Sequence, residues 1–173
     1  MATHIEKNNQ KQSIKQSIMP NILNLSPRVV LSVVLILLIM RWIAVYLSSI
    51  PISVDEAQYW LWSQNFDFGY YSKPPLIAWI IGVSDFLFGQ NSWAVRLPAP
   101  AFHVATGLVL GRLTYRLYGA RAGYLAVLVW LFLPAVTLGS FIFSTYTPLL
   151  FFWSLGLCYF VLWIKPILDN EGI

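Results

Sequence analysis

Between Ser53 and Leu76 the sequence reads SVDEAQYWLWSQNFDFGYYSKPPL, and here an otherwise very apolar chain gathers carboxylates, a lysine and a dense group of aromatics. Its first half is written as a short helix over residues 54–64. Ser53 can accept from the amide three residues on, and Glu56 can reach back to the Ser53 amide as a capping box. Capping is a sufficient reason for Glu56, and if it is the whole reason a glutamine would serve there equally. Asp55 has no such reason: in the first turn it needs no partner, its carboxylate is free to project outward, and the helix dipole favours negative charge at that place. Ala57, Trp60, Leu61 and Gln64 share a face, with Tyr59 and Trp62 beside it, and aromatics at this density suit a helix lying in the headgroup layer. Gly69 then turns the chain. Pro74 and Pro75 suit the first turn of a second helix, over 75–88, which leaves Lys73 at its N-terminus. A lysine beside orphan helix amides makes a phosphate site; a snorkelling surface lysine is the other reading.

The elements that must position these residues are membrane elements. Of 173 residues, 58% are hydrophobic, 16% aromatic and only 10% charged, against roughly a quarter charged in soluble domains. This identifies an all-α, polytopic membrane protein. A single cysteine, Cys158 in an apolar run, excludes an intramolecular disulfide and a cysteine-cluster metal site and reads as a small buried hydrophobe. The net charge of +4 comes without a compact basic patch, so it reads as a topology signal and not as a nucleic-acid surface.

Residues 1–27 are polar and carry Lys7, Lys11 and Lys15, the composition of a disordered cytoplasmic tail. A first span is expected over 28–48, with Arg41 either facing a partner helix or snorkelling. The outer loop over 49–96 holds the two interfacial helices. Placing 75–88 on the surface keeps Arg112, Arg116 and Arg121 on the same side as the basic tail, as the positive-inside rule prefers; Trp79 and Phe86 are its expected lipid-facing anchors. Further spans are expected over 97–118, 122–139 and 148–164, about four in all, with a tight turn at Gly119 to Arg121, a kink at Pro134 and a C-terminal tail over 166–173. His103 stands alone in the second of these spans and reads as helix packing, since no second ligand for a metal accompanies it.

Four segments together carry a resemblance: Asp55-Glu56-Ala57-Gln58-Tyr59-Trp60, Tyr71-Ser72-Lys73-Pro74-Pro75-Leu76, Arg96-Leu97-Pro98 and Thr145-Tyr146-Thr147-Pro148-Leu149. Over residues 28–165 the chain resembles the start of the polyprenyl-phosphate-dependent membrane glycosyltransferases of GT-C fold, the family of the protein O-mannosyltransferases and the lipid A aminoarabinose transferase. The resemblance implies that Asp55 is the catalytic base that takes a proton from an acceptor hydroxyl. The sugar then inverts at its anomeric carbon as the lipid phosphate leaves, and Lys73 contacts that phosphate. Glu56, Tyr59 and Arg96, in the matching segments, join Lys73 as substrate- or phosphate-binding candidates. The chemistry is consistent with the residue types: a carboxylate can accept the proton and a cation can neutralise the phosphate.

Two positions depart from the family pattern. Relatives carry an acidic residue or histidine where Ser72 stands, in some a metal ligand, and Asp where Tyr146 stands. No metal ligand and no cofactor is therefore assigned, although a divalent metal belongs to the family's repertoire. The implied partners are a polyprenyl-phosphate-linked sugar and a lipid, glycan or protein acceptor, at the outer face of a bacterial inner membrane, with no nucleic acid. Relatives have more spans and often an outer C-terminal domain, so the expectation is the N-terminal part of such an enzyme. The alternative is a non-catalytic membrane module or partner protein that keeps the fold's first spans.

Overall fold

A computed structural model describes residues 25–171, with side chains to residue 165. Residues 1–24, most of the expected tail, lie outside the described residues. Within them the protein is all-α, with no strand. The elements in chain order are α1 (Pro27–Leu47), α2 (Val54–Ser63), α3 (Leu76–Phe88), α4 (Ser92–Arg96), α5 (Pro98–Tyr118), α6 (Ala120–Phe132), α7 (Pro134–Gly139) and α8 (Tyr146–Glu171). Three stretches are long and apolar enough to cross a membrane: Pro27–Leu47, Ser92–Tyr118 and Tyr146–Lys165.

Helix α1 begins earlier than expected because residues 25–27 have structural roles of their own. The Ser26 hydroxyl accepts from the Val29 amide at 3.3 Å, Pro27 occupies the first turn, where its missing N–H costs nothing, and Leu25 packs on the α1/α5/α6 core. At the far end α8 runs on to Glu171, through most of the expected tail. Bilayer thickness limits the apolar run, but a helix can continue into water.

The helices pack as an antiparallel bundle. The Trp42 indole near the end of α1 donates to the Leu97 carbonyl at 3.1 Å, while the start of α1 shares a cavity wall with Arg112 and Arg116 at the end of α5. Gly119, at φ +89°, makes the reversal into α6 by itself, a backbone state that glycine enters without penalty. Beyond it α5 and α6 touch backbone to backbone: a Cβ on Gly123 would stand 2.8 Å from the Gly111 carbonyl oxygen. Helix α8 lies parallel to α5, with Phe151 against Phe102 at 5.6 Å between centroids and the Lys165 ammonium donating to the Arg116 carbonyl at 3.3 Å.

The apolar stretch expected as a span over 122–139 is broken. Leu133 leaves the helical region at ψ 130° and Pro134 starts α7 as a separate piece, so the Leu131 carbonyl loses its intrahelical partner. Arg41 supplies one: its guanidinium donates to the Leu131 carbonyl and, at 3.3 Å, to the Thr137 hydroxyl. Of the two readings of Arg41, the partner helix is therefore the one realised, and a cation caps a helix C-terminus, where the dipole favours it.

A candidate active site at the outer-loop end

The stretch from Ser53 folds locally as its residue types dictate. Ser53 caps α2, accepting from the Glu56 amide at 3.2 Å, while the Glu56 carboxylate accepts from the Ser53 amide at 2.9 Å. The capping box is therefore formed, but it is a small part of what Glu56 does. Its carboxylate is wholly buried and faces Arg96, 40 residues on, in a two-pronged pair: Arg96 Nε donates to Oε1 at 2.9 Å and Nη2 to Oε2 at 2.7 Å. The amide of Phe143, from the connection between α7 and α8, adds a donor to Oε1 at 3.2 Å. Arg96 also donates to the carbonyls of Ile50 at 2.9 Å and Pro51 at 2.8 Å. Among the described residues this is the one ion pair.

Four segments, the α1–α2 link, α2, α4 and the α7–α8 link, are thus clamped around one buried carboxylate. Burial by itself would raise the pKa of Glu56; the Arg96 hydrogen bonds and charge, with the Ser53 and Phe143 amides, outweigh it and hold the carboxyl below its ordinary range. The pair also sets how α2 is rotated. An ionised group can be buried only against its partner, so the buried stripe is Glu56, Tyr59 and Ser63, while Leu61, on the face it shares with Ala57, Trp60 and Gln64, is 62% exposed. Tyr59 packs with Ile77, Ile81, Val95, Ala99 and Phe143 in a compact core.

Asp55 projects from the first turn of the same helix and is exposed; its carboxylate meets no hydrogen-bond or ion-pair partner among the described residues. Lys73 is half-buried, just ahead of α3. That helix starts at Leu76, with Pro75 in the capping position and accepting from the Trp79 amide at 3.1 Å. Both prolines therefore precede the helix, one position off the expected register. Of the five residues singled out in the sequence, then, Asp55 and Lys73 keep unengaged side chains, whereas Glu56 and Arg96 are consumed by each other and Tyr59 is core. The Glu56–Arg96 pair and Tyr59 thus help hold this end of the bundle in shape. Linear sequence carries no signal for this clustering, since Arg96 is 40 residues from Glu56 and the Phe143 amide 87.

Around this centre the connection from α2 to α3 is stapled by aromatics. The Trp79 indole donates to the Asp67 carbonyl at 2.9 Å and meets Phe68 edge-on at 5.7 Å, so it pins the loop instead of projecting outward as an anchor; Phe86 does project, at 88% exposure. Trp62 stacks on Tyr70 at 5.2 Å. On α3, Asp85 is buried with both carboxylate oxygens lacking a hydrogen bond. Burial pushes its pKa up, an effect that the nearby Trp60 and Gln64 side chains only partly offset. An apolar groove of about 420 Å³ runs beside the same end, walled by Ile39, Trp42, Tyr46, Phe88 and Trp93. Among the described residues no three of His, Cys, Asp or Glu converge as a metal site would require, and His103 is buried against Gly139 in the bundle.

The sequence of residues 72–167, which contains Lys73, Arg96 and Tyr146 and begins after Asp55, matches the family described as dolichyl-phosphate-mannose-protein mannosyltransferase. The chain belongs to this glycosyltransferase family. It is also similar to the lipid A galacturonosyltransferase RgtD of Rhizobium johnstonii, 42% identical over 134 residues, which is 77% of this chain and 28% of that relative. The chain thus spans under a third of the length of the curated relative it matches. No solved structure matches it.

Proposed function

We propose that this chain forms the acceptor-activating and phosphate-contacting part of a membrane glycosyltransferase that moves a sugar from a polyprenyl-phosphate donor to a hydroxyl acceptor at the outer face of the inner membrane. Asp55 is the base. It takes the proton of the acceptor hydroxyl as that oxygen bonds to the anomeric carbon; the bond from that carbon to the phosphate oxygen breaks on the opposite face, its electron pair leaving with the lipid phosphate. One displacement inverts the anomeric centre. Lys73 balances the charge that gathers on the departing phosphate.

The observation that carries this reading is the contrast within two consecutive residues. Glu56 is locked into the protein by four donor groups, while Asp55 beside it presents an unengaged carboxylate on a helix that the Glu56–Arg96 pair holds rigidly. Preorganisation of this kind is what a general base needs. The apolar groove at the same end suits a polyprenyl tail, and the relative's galacturonosyl transfer to lipid A suggests a lipid-borne saccharide as acceptor.

The test is transfer of radiolabelled sugar from a polyprenyl-phosphate donor in membranes holding the chain, and in a chimera joining it to the remaining spans of the rhizobial relative. Asp55→Asn keeps volume and hydrogen bonding but cannot accept a proton, so transfer should fall by ~10²-fold or more with donor binding retained. Lys73→Met should weaken donor binding as well as turnover, because the phosphate is present in ground and transition states alike. Near-normal transfer by Asp55→Asn would remove Asp55 from the mechanism.

A further inference from the structure

At the end of the bundle opposite Asp55, a groove of about 620 Å³ lies between α1, α5 and α6. Its walls are apolar, with Val30, Val34, Leu108 and Val127 among them, and its rim carries Arg112 and Arg116. The two arginines are four apart on α5, hence on one face, and both are exposed. Neither has an ion-pair partner among the described residues. Lys165 brings a further cation to the same place, its ammonium donating to the Arg116 carbonyl at 3.3 Å. Along its floor α5 and α6 meet through Gly111 and Gly123, whose missing side chains permit the close contact.

We propose that this groove binds an anionic phospholipid, its phosphate held by Arg112 and Arg116 and an acyl chain lying along the exposed Leu31 and Leu108. The occupant follows from charge and shape together. An apolar slot between membrane helices takes a hydrocarbon chain, and a pair of guanidiniums at its mouth takes a phosphodiester. The chain's own first residues bring Lys7, Lys11 and Lys15 against a single Glu6, the wrong sign for this rim. A second copy pairing through this end would set Arg28, Arg112 and Arg116 against themselves.

Native mass spectrometry of the purified chain, released from neutral micelles after incubation with phosphatidylglycerol or phosphatidylcholine, tests the site. Phosphatidylglycerol should be retained over phosphatidylcholine by about tenfold, since each arginine near a headgroup contributes appreciably to anionic lipid binding. The double variant R112Q/R116Q should lose that preference, and R112K/R116K, which keeps the charge, should retain most of it. Circular dichroism checks that each variant folds. Should R112Q/R116Q fail that check, a photoactivatable phosphatidylglycerol on the unmodified chain decides: crosslinks should fall on the groove walls of α1, α5 and α6. Equal retention of both lipids would overturn the proposal, as would crosslinks confined to the outer-loop end. Displacement of the lipid by glycerol 3-phosphate at equal concentration would overturn it in favour of a soluble phosphate ligand, and lipid-free dimers closing this face would assign the groove to a second copy.

Discussion

Glu56 and its neighbour Asp55 separate structure from chemistry across one peptide bond. A capping role alone predicts a silent Glu56→Gln, but the buried pair with Arg96 predicts otherwise: glutamine leaves the guanidinium buried without a counter-charge, a loss on the order of 3–5 kcal/mol. The variant should unfold at a clearly lower temperature in detergent. Because the folded-state pKa of Glu56 is depressed, its stabilisation is present above the ordinary carboxylate range and is lost as pH falls through the lower, folded-state value. An acid-induced loss of stability in the unmodified chain that is absent from Glu56→Gln would identify this residue as its source. Asp85 runs the opposite way. Its folded-state pKa is raised, so the ionised form costs stability at neutral pH and that cost disappears as pH falls through the raised value. Asp85→Asn should therefore stabilise the protein at neutral pH by about 1 kcal/mol or more, and the gain should vanish in acid; a neutral or destabilising result at pH 7 would show that the carboxylate has a partner in the membrane.

Among the elements, the α5–α6 hairpin sets how closely the bundle can pack. At Gly123 a Cβ would stand 2.8 Å from the Gly111 carbonyl oxygen and 2.7 Å from the Tyr115 Cβ; neither is the end of a flexible side chain that could swing away. Gly123→Ala should thus cost about 1–3 kcal/mol, the usual scale for overpacking, and a thermal melt matching the unmodified chain would show that the helices separate at no cost. The α6–α7 break shows a related economy. Leu133 and Pro134 end the helix, and Arg41 takes the Leu131 carbonyl that the break leaves unpartnered, so a helix break and a buried charge satisfy each other.

Over the whole molecule, charge is segregated by end. Arg112, Arg116 and Lys165 gather where α1 begins, while Asp55, Asp67, Lys73 and the Glu56–Arg96 pair belong to the opposite end. Between them α1 and α8 expose long apolar faces, including Leu31, Leu35, Ile39, Trp153 and Phe160, surfaces that require lipid or further helices. With positive-inside orientation, cysteines placed singly at positions 66 and 117 should label from the outer side at 66 and not at 117. Labelling of 117 but not 66 would invert the proposed topology and remove the outer-face reaction with it.

Composition and periodicity determined, from the residues alone, that the chain is a helical membrane protein and where its longest apolar helices run. These follow from the cost of placing polar backbone and charge in hydrocarbon, which constrains every residue in order along the chain. The four short motifs also pointed to the glycosyltransferase family, because each is a local pattern. Only the tertiary structure decided what Glu56, Arg96 and Arg41 do. Their partners lie 40 residues away at Arg96 for Glu56 and 90 at Leu131 for Arg41, and a buried charge takes its role from whichever group the fold brings to it. The rotation of α2, and with it the exposure of Asp55, follows from that pairing and not from the spacing of apolar residues along the helix.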